Sequence, residues 1–76
     1  MNKYYFDLVG QHRSEYDYRG SVFSQPENAF RMAELMALDL GINPDGAWSG
    51  WAVKVRNAQG KQFFSVPVEA LDPMAA

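Results

Sequence analysis

From Lys3 to Val9 the chain alternates, with Tyr4, Phe6 and Leu8 to one side and Lys3, Tyr5, Asp7 and Val9 to the other. A period of two rich in aromatics predicts a strand with one face against a core. Gly10-Gln11-His12-Arg13 supplies a turn, after which Ser14 to Tyr18 can pair back as a short second strand. Asp17-Tyr18-Arg19-Gly20 carries the acid at the first position and the glycine at the fourth that a type I turn prefers. Val22 and Phe23 then lead into a helix.

The helix is expected from Ser24 to Gly41. Ser24-Gln25-Pro26-Glu27 has the form of a capping box, in which Ser24 accepts from the Glu27 amide and Glu27 reaches back. Gly41 is expected to end the helix in a left-handed conformation. At about 100° per residue, Ala29, Phe30, Ala33, Met36, Ala37 and Leu40 gather on one face, which must pack on the sheet. Glu27, Arg31 and Glu34 lie opposite, spaced so that Arg31 can pair with either acid. Leu35 and Leu38 break the pattern, projecting from the polar side and flanking Arg31.

Ile42 to Gly46 is punctuated like a loop. Trp48 to Asn57 reads as the third strand, with Trp51, Val53 and Val55 on one face and Ala52, Lys54 and Arg56 on the other. Asn57-Ala58-Gln59-Gly60 is a hairpin turn, and Lys61 to Val68 forms the fourth strand. In that strand Phe64, Val66 and Val68 alternate with Phe63, Ser65 and Pro67. Proline cannot donate to a ladder, so Pro67 marks an edge or the end of pairing. Residues 1–70 are thus expected to form one small α+β domain, ββαββ. A single antiparallel sheet of three to four strands carries one helix on one face. Residues 71–76 show no period and are expected to be a disordered tail.

Size sharpens this picture. A chain of 76 residues buries only about 60% of the surface its unfolded form exposes. With no cysteine, neither disulfides nor thiolate metal sites can reinforce the core. Five Phe, four Tyr and two Trp supply apolar mass instead, and self-association is the other common remedy. The net charge of −2, from seven basic and nine acidic side chains, lacks the strongly basic footprint of a duplex nucleic-acid binder. The strand pattern begins at the N-terminus, so no secretory leader is expected. No apolar run approaches the roughly 20 residues that span a bilayer. A soluble, cytoplasmic chain without cofactor or membrane attachment is the expectation.

Several of these segments, taken in order, resemble a known family. They are Tyr5-Phe6-Asp7-Leu8, the Asp17-to-Gly20 turn, the alanines 29, 33 and 37, Val53-Lys54-Val55, the Gly60 turn and Val66-Pro67-Val68. The set is similar to a family of short bacterial proteins catalogued as a domain of unknown function, DUF6894, over about residues 3 to 68. The resemblance implies an α+β fold and a bacterial cytosolic setting, and carries no activity, cofactor or catalytic residue. The helix here is richer in Leu and Met, and poorer in charge, than a typical member would be.

Three groups are candidate sites. Arg31, Leu35 and Leu38, extended by Met32, are either ordinary exposed side chains, side chains covered by the 42–48 loop and Trp48, or an isologous homodimer contact. On the sheet face turned from the helix, Tyr5, Lys54, Arg56 and Phe63 interleave rings with basic groups. Single-stranded RNA or DNA binders use such a face, and a plain solvated sheet face shows it too. His12, near Arg13, Glu15 and Asp17, matches no metal spacing and is expected to be a solvated turn residue. No nucleophile elbow, phosphate loop or calcium-loop pattern is present, and Asn43-Pro44-Asp45-Gly46 reads as a turn. The leading expectation is a non-enzymatic interaction domain that binds itself or another protein. A weak single-stranded nucleic-acid binder is the alternative.

Overall fold

A computed structural model describes residues 2–42 and 46–69. The expectations for Asn43-Pro44-Asp45 and for a tail from Leu71 concern residues outside that range. The element order is β1 (Asn2–Val9), β2 (Ser14–Glu15), β3 (Ser21–Phe23), α1 (Pro26–Gly41), β4 (Ala52–Asn57) and β5 (Gln62–Pro67). All strands join one antiparallel sheet in the order β2-β1-β4-β5, with β3 also beside β1. The fold class is the one the alternation and the amphipathic helix imply. The strand count is five rather than three to four, because β3 adds a three-residue ladder. The second strand shrinks to Ser14–Glu15.

β1 and β4 form the centre of the sheet, registered from Tyr4 opposite Asn57 to Val9 opposite Ala52. Their helix-facing side chains (Tyr4, Phe6, Val53 and Val55) are buried with Ala29, Ala33, Ala37 and Val68. The three alanines recur every four residues, so the helix approaches the sheet closely along a line without long side chains. Leu8, Phe23, Met36, Leu40, Trp48, Trp51, Phe64 and Val66 close the margins of this core.

Both ends of α1 differ from their sequence signals. Pro26 occupies the first helical position, and proline drives the residue before it into extended backbone. Gln25, at φ −137° and ψ 142°, is therefore the N-cap, with no side-chain cap. Ser24 lies one residue too early to close a box with Glu27. At the other end Gly41 stays helical and the C-cap is Ile42, at φ −75° and ψ −17°. Glycine is needed there for space: a Cβ on Gly41 would overlap the Glu69 carbonyl oxygen, where the chain passes after β5.

Trp48 to Trp51 is a turn rather than the start of a strand. Gly46 and Gly50 take positive φ (66° and 88°), and Trp51 donates its amide to the Trp48 carbonyl at 3.1 Å. The two indoles meet edge to face at 4.9 Å, and Trp51 lies against Gly10, which has no room for a Cβ. The β4–β5 hairpin turns where expected. Asn57 Oδ1 accepts from the amides of Gln59 (3.0 Å) and Lys61 (2.9 Å). Pro67 ends β5, itself an edge strand.

Candidate interaction surfaces

The sheet face turned from α1 is organised around two carboxylates. On the outer edge of β1, β2 pairs with Leu8–Val9 and β3 with Asn2–Tyr4, which leaves the Phe6 amide between them without a strand partner. Asp17 Oδ2 accepts from that amide at 3.2 Å. Its Oδ1 accepts from the amides of Arg19 and Gly20, both at 3.0 Å. One side chain thus fills a gap in the ladder and closes the turn between the two short strands. The Asp17 amide donates to Asp7 Oδ1 at 2.9 Å.

Asp7 is 5% exposed, and a buried carboxylate needs a compensating charge. Arg56, across the β1–β4 ladder, donates from Nε to Asp7 Oδ2 at 2.7 Å and from Nη2 to the Asp17 carbonyl at 2.9 Å. Its guanidinium also lies over the Tyr5 ring, 4.4 Å from the centroid. Gly20, at φ 72°, packs so close to Lys3 and Tyr5 that a Cβ would press on both. The hydrogen bond to Asp7 raises the Arg56 pKa, against the opposing effect of burial. For Asp17, burial pushes the carboxyl upward, but the amides of Gly20, Phe6 and Arg19, with the charge of Arg56, leave it below its ordinary 3.8.

Of the four sheet-face candidates, Tyr5, Lys54 and Arg56 share this face, and Phe63 does not. Val55 pairs with Phe64 and Arg56 with Gln62, so Phe63 is the extra residue of a β-bulge. A bulge re-aims one side chain. Phe63 swings to the helix side, 5.5 Å from the rings of both Tyr4 and Phe30, while Phe64 stacks on Phe30 at 4.5 Å. Phe63 there borders a cleft of about 480 Å³ with Tyr4, Phe30, Asn57, Lys3 and Lys61. The expected row of rings and cations is therefore divided between two faces, and Arg56 is already engaged by Asp7 and Asp17.

The outer face of α1 has the opposite character. Leu35 and Leu38 are 56% and 50% exposed, and Met32 and Ile42 extend the patch at 41% and 57%. Of the readings open from sequence, coverage by the following loop does not hold for the two leucines. Arg31 and Asp39 are exposed beside them. Among the described residues the one ion pair is Asp7–Arg56, so neither Arg31 nor Asp39 has a charged partner among them. Met32 and Met36 continue the apolar surface toward Leu8 and Tyr16 at the sheet margin. Helical spacing in the sequence points to Leu35 and Leu38. That spacing does not reach Ile42, which lies past Gly41, a glycine whose type signals a helix stop.

His12 is exposed in the β1–β2 turn, where Gly10 donates to the Arg13 carbonyl at 2.7 Å, and Asp17 is turned away into its own network. Among the described residues no group of three His, Cys, Asp or Glu could hold a metal ion. None of the helices described is long and apolar enough to cross a membrane.

Searches of curated proteins and of solved structures return no match. A family model covers residues 3–69, which takes in the helix and all the strands but for Asn2 at the start of β1, and includes Asp7, Asp17 and Arg56. The chain belongs to the family described as domain of unknown function DUF6894.

Proposed function

We propose that this chain is a small interaction module that self-associates through the outer face of α1, by apolar burial inside a charged rim rather than by chemistry. The observation that carries this reading is the exposed stripe of Met32, Leu35, Leu38 and Ile42. It runs along a helix whose other apolar side chains already face the sheet. The small core gives the monomer little margin and makes further burial favourable. The lack of cysteine suits a reducing cytoplasmic setting.

A contact confined to one helix face is smaller than the roughly 800 Å² per partner of a standard interface, so micromolar association is expected. Light scattering after size exclusion, from about 1 µM to 1 mM around that affinity, tests it. A dimer that dissociates on dilution supports the proposal. So does loss of that dimer in Leu35→Glu with Leu38→Glu, provided the variant keeps its circular dichroism. A monomer throughout the range, or a double variant with an unchanged mass, would end it.

A further inference from the structure

The stripe on α1 is matched to itself. Around the helix at about 100° per residue, Leu35 points away from the alanine face and marks the midpoint of the patch. Arg31 and Asp39 stand four residues before and after it, about 40° to opposite sides of its line. Met32 and Leu38 stand three residues before and after, about 60° to opposite sides. A two-fold axis that passes between two facing copies at Leu35, perpendicular to both helices, reverses the direction along the helix and keeps each flank on its own side of the seam. It sets Asp39 of a second copy level with Arg31 across the seam, Leu38 level with Met32, and Leu35 against its own counterpart. Ile42 reaches Asn28 at the rim.

We infer that two copies associate as an antiparallel α1 pair about a two-fold axis at Leu35, clasped by Arg31–Asp39 ion pairs at both ends of the leucine–methionine seam. This rests on the self-association proposed above and specifies its symmetry and register. Charge selects the direction. The antiparallel pair sets these two charges of opposite sign level with each other, whereas a parallel pair sets Arg31 against Arg31 and Asp39 against Asp39. The face is open to a neighbour because Ala29, Ala33 and Ala37, which hold α1 to the sheet, lie on the opposite side of the helix.

The absence of native cysteine makes disulfide trapping clean. Helices packed about 9–10 Å apart with Cα atoms about 2.3 Å from each axis bring residues on the two-fold within the roughly 4.4–6.8 Å a disulfide needs. Leu35→Cys, at an exposed position, should therefore give a linked dimer on mild oxidation. Met32→Cys alone and Leu38→Cys alone should link poorly, because each lies about 4.5 Å along the axis from the two-fold and well to one flank of it.

Arg31→Glu and Asp39→Arg should each weaken association by about tenfold, since symmetry repeats the like-charge contact. The double variant R31E/D39R should recover to within about threefold of the parent. Efficient self-linkage at residue 32 or 38, or no recovery in the double variant, would overturn this register while a dilution-sensitive dimer still stood. A wild-type chain that stays monomeric would instead overturn self-association itself.

Discussion

The two faces of this small domain spend their side chains in opposite ways. On the open face of the sheet, Asp7, Asp17, Arg56 and Tyr5 look like a binding site when read as residue types. Yet their hydrogen-bonding groups answer one another: Asp7 to Arg56 and the Asp17 amide, Asp17 to three backbone amides, Arg56 to both acids' segments. On the outer face of α1, Leu35 and Leu38 look idle when read singly, and packing within the chain leaves them half exposed. The contrast teaches that unmet physical demand points to a partner better than chemical suggestiveness does. The polar cluster is closed; the apolar one is open.

The largest expected effect falls on the closed side. Asp7→Ala removes the counter-charge of Arg56 and the acceptor of the Asp17 amide. It should cost about 2–4 kcal/mol in urea unfolding, and a loss under 1 kcal/mol would show the cluster to be dispensable. Gly41→Ala should cost about 1–3 kcal/mol, because its Cβ meets the Glu69 backbone and only displacement of the strand exit relieves it. The same substitution at Gly60, a glycine with open space but φ 84°, separates overlap from conformational strain.

Asp17→Ala should cost about 1–2 kcal/mol by leaving the Phe6 amide and the turn without their acceptor. Asp17 also carries a pH signature. Its folded pKa lies below its ordinary value, so the unfolded chain takes up the proton more readily. The stability it contributes is complete above about pH 4 and declines as pH falls through the lower folded value. Denaturation midpoints measured from pH 5 to 2 should fall less steeply in Asp17→Asn than in the parent. Identical slopes would remove Asp17 from the account.

The smallest effect on the fold is expected on the open side. Leu35→Glu with Leu38→Glu should change the stability of the monomer by no more than about 0.5 kcal/mol per site, read at protein concentrations too low for association. A large loss there would mean that these leucines belong to the monomer core.

Much of this division was legible in the sequence, for reasons that show where such reading stops. The alanine face of α1 and its two stray leucines follow from a period of 3.6 sustained over sixteen helical residues. The core side of β1 and β4 follows from alternation. Alternation alone puts Phe63 on the wrong face, because one inserted residue reverses it and a bulge leaves no mark in the pattern of strand residues. Asp17 was legible as a turn residue but not as the acceptor that fills the β1 edge. That role depends on where Phe6 comes to lie, eleven positions away. Gly41 matters in the structure, but for a reason the local sequence does not carry: its neighbour is the distant Glu69 carbonyl, and its backbone is helical. Local signals were readable, and signals that need two distant segments brought together were not.

The most direct test of the central claim is the molar mass in solution across a dilution series, for the parent chain and for Leu35→Glu with Leu38→Glu. A parent mass rising with concentration from one chain toward twice 8.6 kDa, with the variant fixed at one chain and still folded, is the predicted result. A parent that stays at one chain throughout, or a variant that dimerises as the parent does, would contradict it.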